Sequence, residues 1–242
     1  MHDDGIFDGT VAPTYDADHA ERFSPEVLDP EVDLLAELAA GGRVLEFAIG
    51  TGRAALPLAE RGVDVSGIEL SQAMVSELRA KPGGDDITVV IGDMASARVP
   101  GEFAVVYLGF NTIMNLLTQA EQVACFENAA GHLRPGGVFV VDVVVPKIQR
   151  LAPGERHAVF DASEEHIGID EYELAEQRSY SIHARPGRPI TRTPFRYVWP
   201  SELDLMARIA GMQLRHRWGD FDRSPFTATS TRHVSVWERP AA

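Results

Sequence analysis

Arg43-Val44-Leu45-Glu46-Phe47-Ala48-Ile49-Gly50-Thr51-Gly52-Arg53 is the stretch on which the fold turns. Its short apolar run, rich in β-branched and aromatic residues, reads as a buried strand. Gly50 and Gly52 end that strand in a tight turn that only glycine enters without a Cβ clash. A helical pattern follows at once. Strand, glycine turn and helix place backbone N–H groups at a helix N-terminus, with no side chain to keep the adenosine or phosphate end of a ligand at a distance. The arrangement is that of a nucleotide-type cofactor site.

Glu46 is the informative residue. A carboxylate inside an apolar strand is costly to bury unless something donates to it, so it is expected near the strand's end, facing a cationic or hydrogen-bonding ligand. The alternative is a structural Glu held by backbone N–H groups. A second acid, Glu69, ends the next apparent strand (residues 63–70) about 20 residues beyond the turn, the spacing of a ribose-binding acid. The segment from Gly50 to Ala55 also fits the permissive dinucleotide fingerprint G-x-G-x-x-A, which keeps a nicotinamide cofactor and an NAD(P)-dependent oxidoreductase open.

The pattern Glu46-x-Ala48-x-Gly50-x-Gly52 resembles motif I of the class I S-adenosylmethionine-dependent methyltransferases, acidic-x-Gly-x-Gly-x-Gly, with Ala48 in place of the first glycine. The turn Leu133-Arg134-Pro135-Gly136-Gly137 before the Val-rich stretch 138–145 is similar to that family too, so the resemblance spans residues 43–145. It implies S-adenosyl-L-methionine as cofactor and S-adenosyl-L-homocysteine as product. It further implies that Glu46, Ala48, Gly50, Thr51, Gly52, Arg53, Glu69 and Leu70 surround that cofactor, with Met74 against the adenine; the alternative for Met74 is a core residue. Asp93, just past the apolar strand 87–91, resembles the family's adenine-recognising acid, with Met94 beside it; the alternative is a turn or helix-cap Asp. Phe110, after the fourth strand at the same end of the sheet, is a further expected cofactor contact. Tyr15 belongs to a polar N-terminal segment that in the family folds over the cofactor.

Composition bounds the rest. A chain of 242 residues can bury one substantial core with room for an insertion. Its net charge of −14 argues against a nucleic-acid partner and for a small-molecule substrate. The acidic start Met1-His2-Asp3-Asp4-Gly5 is no signal peptide and no run spans a bilayer, so a cytoplasmic protein without membrane contact is expected. Cys125, the single cysteine, reads as core.

Along the chain, Asp29-Pro30-Glu31 looks like a helix start. Residues 53–61 and 72–80 read as helices, the latter capped by Ser71, and Thr118 with Glu121 forms a capping box. Strands and helices alternate to residue 145, which predicts an α/β fold with a doubly wound, seven-stranded, mostly parallel sheet. Residues 146–200 break the alternation: 156–160, 167–174, 178–184 and 195–199 look like strands separated by turns, an antiparallel β insertion over the crevice. Ser201 is expected to cap a helix, and residues 212–218 and 233–238 to pair as a C-terminal hairpin. Three parts result: a cap and cofactor core (1–145), an insertion that shapes the substrate pocket or forms a homodimer (146–200), and a helix with hairpin completing the sheet (201–242).

Methyl transfer from a sulfonium needs alignment and exclusion of water more than a covalent residue. A hydroxyl or protonated-amine acceptor also needs a base, for which His157, His166, His183 and His233 are the candidates. Asn111, Tyr197 and Trp199 are candidate substrate contacts. No His-Glu-x-x-His, paired cysteines or spaced carboxylates suggest a metal, and no Gly-x-Ser-x-Gly suggests a hydrolase. The reading is methyl transfer to O, N or C of a small molecule, with an NAD(P)-dependent oxidoreductase or a non-catalytic cofactor-binding protein as alternatives.

Overall fold

The structure, a computed structural model, describes Phe7 and residues 9–241; the acidic start Met1-Gly5 lies outside the described residues. Seven strands form one sheet: β1 (Val44–Phe47), β2 (Val65–Glu69), β3 (Thr88–Ile91), β4 (Phe103–Leu108), β5 (Leu133–Val144), β10 (Gln213–Trp218) and β11 (Arg232–Glu238). Their order is β10-β11-β5-β4-β1-β2-β3. β1 to β5 run parallel, and β11 is antiparallel to both β5 and β10. The expected doubly wound sheet with a terminal hairpin is therefore the one formed. Every residue of β1, β2 and β4 is buried, which explains why these strands read as continuous apolar runs rather than alternating ones.

The helices α1 (Tyr15–Asp18), α2 (Pro25–Ala39), α3 (Ala55–Glu60), α4 (Gln72–Arg79), α5 (Gln119–His132) and α6 (Pro200–Ile209) complete the framework. One apolar cluster packs α2 and α3 against one sheet face through Leu35, Leu58 and Val105. The other packs α5 and α6 against the opposite face through Phe126, Phe139 and Trp237. Thr118 accepts from Glu121 N–H at 3.2 Å while Glu121 accepts from Thr118 N–H at 2.8 Å, the reciprocal cap expected of α5.

The antiparallel insertion is a separate sheet of β6 (His157–Ala162), β7 (Ile167–Glu173), β8 (Arg178–Ala184) and β9 (Thr191–Arg196) in the order β6-β7-β8-β9. Several boundaries differ from the sequence reading, β5 among them, which starts at Leu133 and takes in the expected turn; three others have a local cause. α2 begins at Pro25, so Pro30 lies inside it; two X-Pro signals compete, and the earlier one provides the first turn. β9 lies at 191–196 rather than 195–199, because the hairpin register with β8 fixes it and Pro194 is tolerated on an edge strand. Trp199, not Ser201, occupies the N-cap of α6, since Pro200 is the first helical residue.

Candidate active site

The carboxyl ends of β1, β2 and β3 face one cavity of about 550 Å³, in the size range of small-molecule sites. The turn after β1 shapes its floor. Ala48, Gly50 and Gly52 have φ of +51°, +56° and +83°, so the first position of the turn is left-handed although it carries a methyl group. Replacing Ala48 by Gly should therefore stabilise the protein by roughly 0.5–1 kcal/mol through release of that strain, read as a raised denaturant midpoint at unchanged slope. An unmoved midpoint would show the turn to be relaxed.

Glu69 closes the turn from the neighbouring strand. Its carboxylate accepts from Gly50 N–H at 2.8 Å and from Ser71 N–H at 2.9 Å. Glu46 lies beneath the turn, 7% exposed. The Ala55 N–H at the start of α3 donates to its carboxylate, yet Oε2 has no hydrogen-bond partner among the described residues. Burial, opposed by Arg53 and reinforced by Glu31 and Glu69, pushes its pKa up to about 8. A buried acid in that state is a receptor for a cationic donor.

Tyr15, Ala48, Gly50, Glu69, Leu70, Met74, Asp93 and Met94 all line this cavity. Asp93 also accepts from Ala95 N–H at 2.8 Å, so the turn-cap role and the cavity position coexist. The N-terminal segment lies over the site: Tyr15 is buried enough to raise its phenol to about 12, Phe7 packs edge-on against it at 5.9 Å, and His19 lies 4.5 Å from it. Asp16 holds the segment down by accepting from the Thr51 hydroxyl at 2.6 Å and pairing with Lys81.

Several expected contacts are directed elsewhere. Thr51 holds the N-terminal segment instead of the cavity. Gly52 is a packing glycine, because a Cβ there would run into Leu78. Arg53 makes a bidentate pair with buried Glu31 at 2.7 and 2.9 Å, and Tyr107 donates to the same carboxylate at 2.8 Å. Phe110, itself at φ +55°, faces a second cavity of about 380 Å³ with Arg22, Arg53 and Arg232. There Arg232 pairs with buried Asp142 at 2.6 Å. Asn111 accepts from Val144 N–H at 2.7 Å, a loop-fixing bond. Tyr197 is buried against Tyr172, and Trp199 stacks edge-on at 6.4 Å from Tyr197 on the way into α6, so neither lines the cavities.

The histidines separate in the same way. His157 is exposed on β6. His233 is fully buried in β11, its Nδ1 bonded to Ser235 Oγ at 2.8 Å; burial holds it near pKa 3, which removes it as a base. His166 and His183 share a 2.9 Å hydrogen bond in the second sheet. Cys125 is buried with its thiol pushed up by burial, in line with a core residue.

Sequence reading missed the Asp16–Lys81 tether, His19, and the cavity wall of Thr112, Asn115, Leu116 and Leu117. That wall directly follows β4, so position at a strand's carboxyl end was a usable signal. Asp16 carried none, because its partners Thr51 and Lys81 come from distant segments. Among the described residues no group of three or more His, Cys, Asp or Glu is placed to hold a metal, and no helix is long and apolar enough to cross a membrane.

Comparison with known proteins gives the family. A methyltransferase-domain family model matches residues 44–137. The CcbJ methyltransferase of Streptomyces caelestis superposes with a TM-score of 0.76 at 38% identity, covering 88% of this chain and 89% of that one. The cypemycin N-terminal methyltransferase of a Streptomyces species is 29% identical over 251 residues, 99% of this chain and 100% of that protein. S-adenosylmethionine-bound CalS10 of Micromonospora echinaspora, an amino pentose methyltransferase, has the same fold, with a TM-score of 0.71 at 20% identity over 93% of this chain and 96% of that one. No comparison favours an oxidoreductase. With its strand order, its glycine turn between two buried acids and relatives along its whole length, the chain belongs to the class I S-adenosylmethionine-dependent methyltransferases.

Proposed function

We propose that this methyltransferase acts on an amine of a small molecule, with the cofactor lying along the 550 Å³ cavity. The observation that carries the placement is the unpartnered Glu46 Oε2 beneath the glycine turn, which the cofactor's ammonium group would satisfy. Glu69, held by Gly50 and Ser71, would take the ribose hydroxyls, and Asp93 with the Met94 backbone the adenine. When bound, the cofactor supplies an electrophilic methyl carbon whose bonding pair is left on sulfur. The chain's own work is to orient and to exclude water: Tyr15 and Phe7 close the cavity, and the Thr51–Asp16–Lys81 contacts keep that closure in place. The second sheet is read as the lid over the acceptor.

The amine assignment rests on the whole-length relative, whose name makes it a cypemycin N-terminal methyltransferase. The net charge of −14 favours a cationic acceptor over a nucleic acid. A cytoplasmic setting, where the cofactor is abundant, suits this chemistry.

Calorimetric titration with S-adenosylhomocysteine, with NAD and NADP alongside, tests the cofactor assignment: binding of the first alone is expected. Glu69→Ala should weaken that binding by about 1.5–3 kcal/mol, the range for hydrogen bonds to a charged group. Unchanged affinity would remove Glu69 from the ribose.

A further inference from the structure

A chain of hydrogen bonds crosses the second sheet. Asp161 Oδ2 meets His166 Nδ1 at 2.6 Å, His166 Nε2 meets His183 Nδ1 at 2.9 Å, and His183 Nε2 meets Ser181 Oγ at 3.1 Å. The two imidazoles are stacked 8° from parallel, and Phe160 packs on both. Ser179, Ser181 and His183 alternate onto one face of β8, and pairing places Tyr172 and Asp170 of β7 on that same face. Tyr172 belongs to the main core, so this face looks onto the seven-stranded domain. At the other end Asp161 is 39% exposed, while His166 is 15% exposed. The register sets Asp161 beside Gly168 and Gly168 beside His183, so the chain lies along this face from half-buried Ser181 to Asp161 on the edge strand β6.

Its proton count is constrained. With Asp161 ionised, His166 Nδ1 must carry the proton of the 2.6 Å bond. In one state His183 Nδ1–H donates to His166 Nε2, and the Ser181 hydroxyl donates to His183 Nε2. With one further proton every one of these bonds reverses. His166 Nε2–H then donates to His183 Nδ1, His183 Nε2–H donates to Ser181 Oγ, and the hydroxyl turns to Asp170, which lies opposite Ser181 in the register. The two states differ by a single proton.

We propose that the Asp161–His166–His183–Ser181 chain takes the proton that an ammonium acceptor must lose, and passes it to solvent at Asp161. This rests on the amine reading above. The proton leaves the acceptor nitrogen for Ser181 Oγ, whose own proton moves to His183 Nε2. His183 Nδ1–H moves to His166 Nε2, the imidazolium gives its Nδ1 proton to water beside Asp161, and both rings then exchange tautomers to restore the starting state. The acceptor nitrogen keeps the electron pair with which it attacks the methyl carbon. His166 and Asp161 are positioning residues, since they act through His183.

The charged surroundings favour this direction. His183 is held below its ordinary pKa by burial first and then by His166, Arg185 and His19, so it resists keeping the proton. Lys147 stands by Asp170, and Asp18 by Arg185. His19, whose charge reaches His183, lies 5.5 Å from Phe110 and 4.5 Å from Tyr15, and Tyr15 lines the cofactor cavity.

Sinefungin, a cofactor analogue with an amine in place of the transferring methyl, tests the assignment without an identified acceptor. Its affinity and that of S-adenosylhomocysteine would be measured on the full chain from about pH 5.5 to 7.5, the range in which histidine titrates. A protonated chain repels the analogue's ammonium, so the sinefungin-to-S-adenosylhomocysteine affinity ratio should fall about tenfold at the acid end, a typical coupling between sites. His183→Asn should make the ratio flat, Asp161→Asn should move the fall to lower pH, and His19→Asn should leave it in place. A flat ratio in the unmodified protein overturns the proposal. So does a fall that survives His183→Asn and disappears in His19→Asn. Failure of S-adenosylhomocysteine itself to bind would reject the cofactor assignment instead, and this inference with it.

Discussion

Replacing Glu46 by Gln is expected to raise the melting temperature of the ligand-free protein at pH 8 while weakening S-adenosylhomocysteine binding. Both effects come from one buried carboxyl. The unfolded chain gives up this proton near pH 4.5 and the folded one near 8. The residue's contribution to stability is thus complete below the lower value and lost as pH rises through the upper one. Glutamine resembles the protonated form and escapes that loss. After allowance for its own unsatisfied N–H groups, the gain at pH 8 should be about 2 kcal/mol, or roughly 4–8 °C in a chain of this size. The ligand's ammonium meanwhile loses a charged partner, costing about 1.5–3 kcal/mol of affinity. In the unmodified protein the same ammonium draws Glu46 into its ionised form, so binding near pH 7 should release a proton, detectable as buffer-dependent binding heat. An equally tight complex with Glu46→Gln would remove the ammonium from this carboxylate.

Arg53→Met should act in the opposite manner, with a large loss of stability. Arg53 and Glu31 are 13% and 3% exposed as side chains, and removing one partner of such a pair strands the other. The expected cost is about 3–5 kcal/mol, seen as a denaturation midpoint well below that of the parent. Burial raises Glu31 even with its partner present, so without Arg53 it would fold protonated, bonded to Tyr107. A variant as stable as the parent, yet impaired in cofactor binding, would return Arg53 to the ligand.

These two residues show what was legible in the chain. Glu46, Glu69 and Asp93 announce themselves because a carboxylate at the end of an apolar strand has few uses other than receiving a donor. Arg53 sits in the same motif and reads alike, but its partner, 22 residues earlier, belongs to a helix whose start was masked by the competing Asp29-Pro30 signal. Thr51 was turned aside by Asp16, 35 residues earlier. The histidine chain was invisible for a related reason. His166 and His183 meet only through the β7–β8 register, which period-2 patterning proposes but does not fix. Architecture followed readily from alternation and turn chemistry, whereas side-chain direction depended on contacts between distant segments.

The Asp142–Arg232 pair also bears on how the sheet assembles. Strand β5 carries Val138-Phe139-Val140-Val141-Asp142-Val143-Val144, and its neighbour β11 lies 90 residues further along at this pair. Until β11 docks, that edge is an open, apolar, β-prone segment of the kind that recruits other chains. Asp142 interrupts the run with a charge, as a gatekeeper against aggregation. When β11 arrives, Arg232 neutralises the same charge, and a one-residue slip would carry the guanidinium to the other face of the sheet. One carboxylate thus protects the unfinished sheet and then checks that the late strand has entered in register.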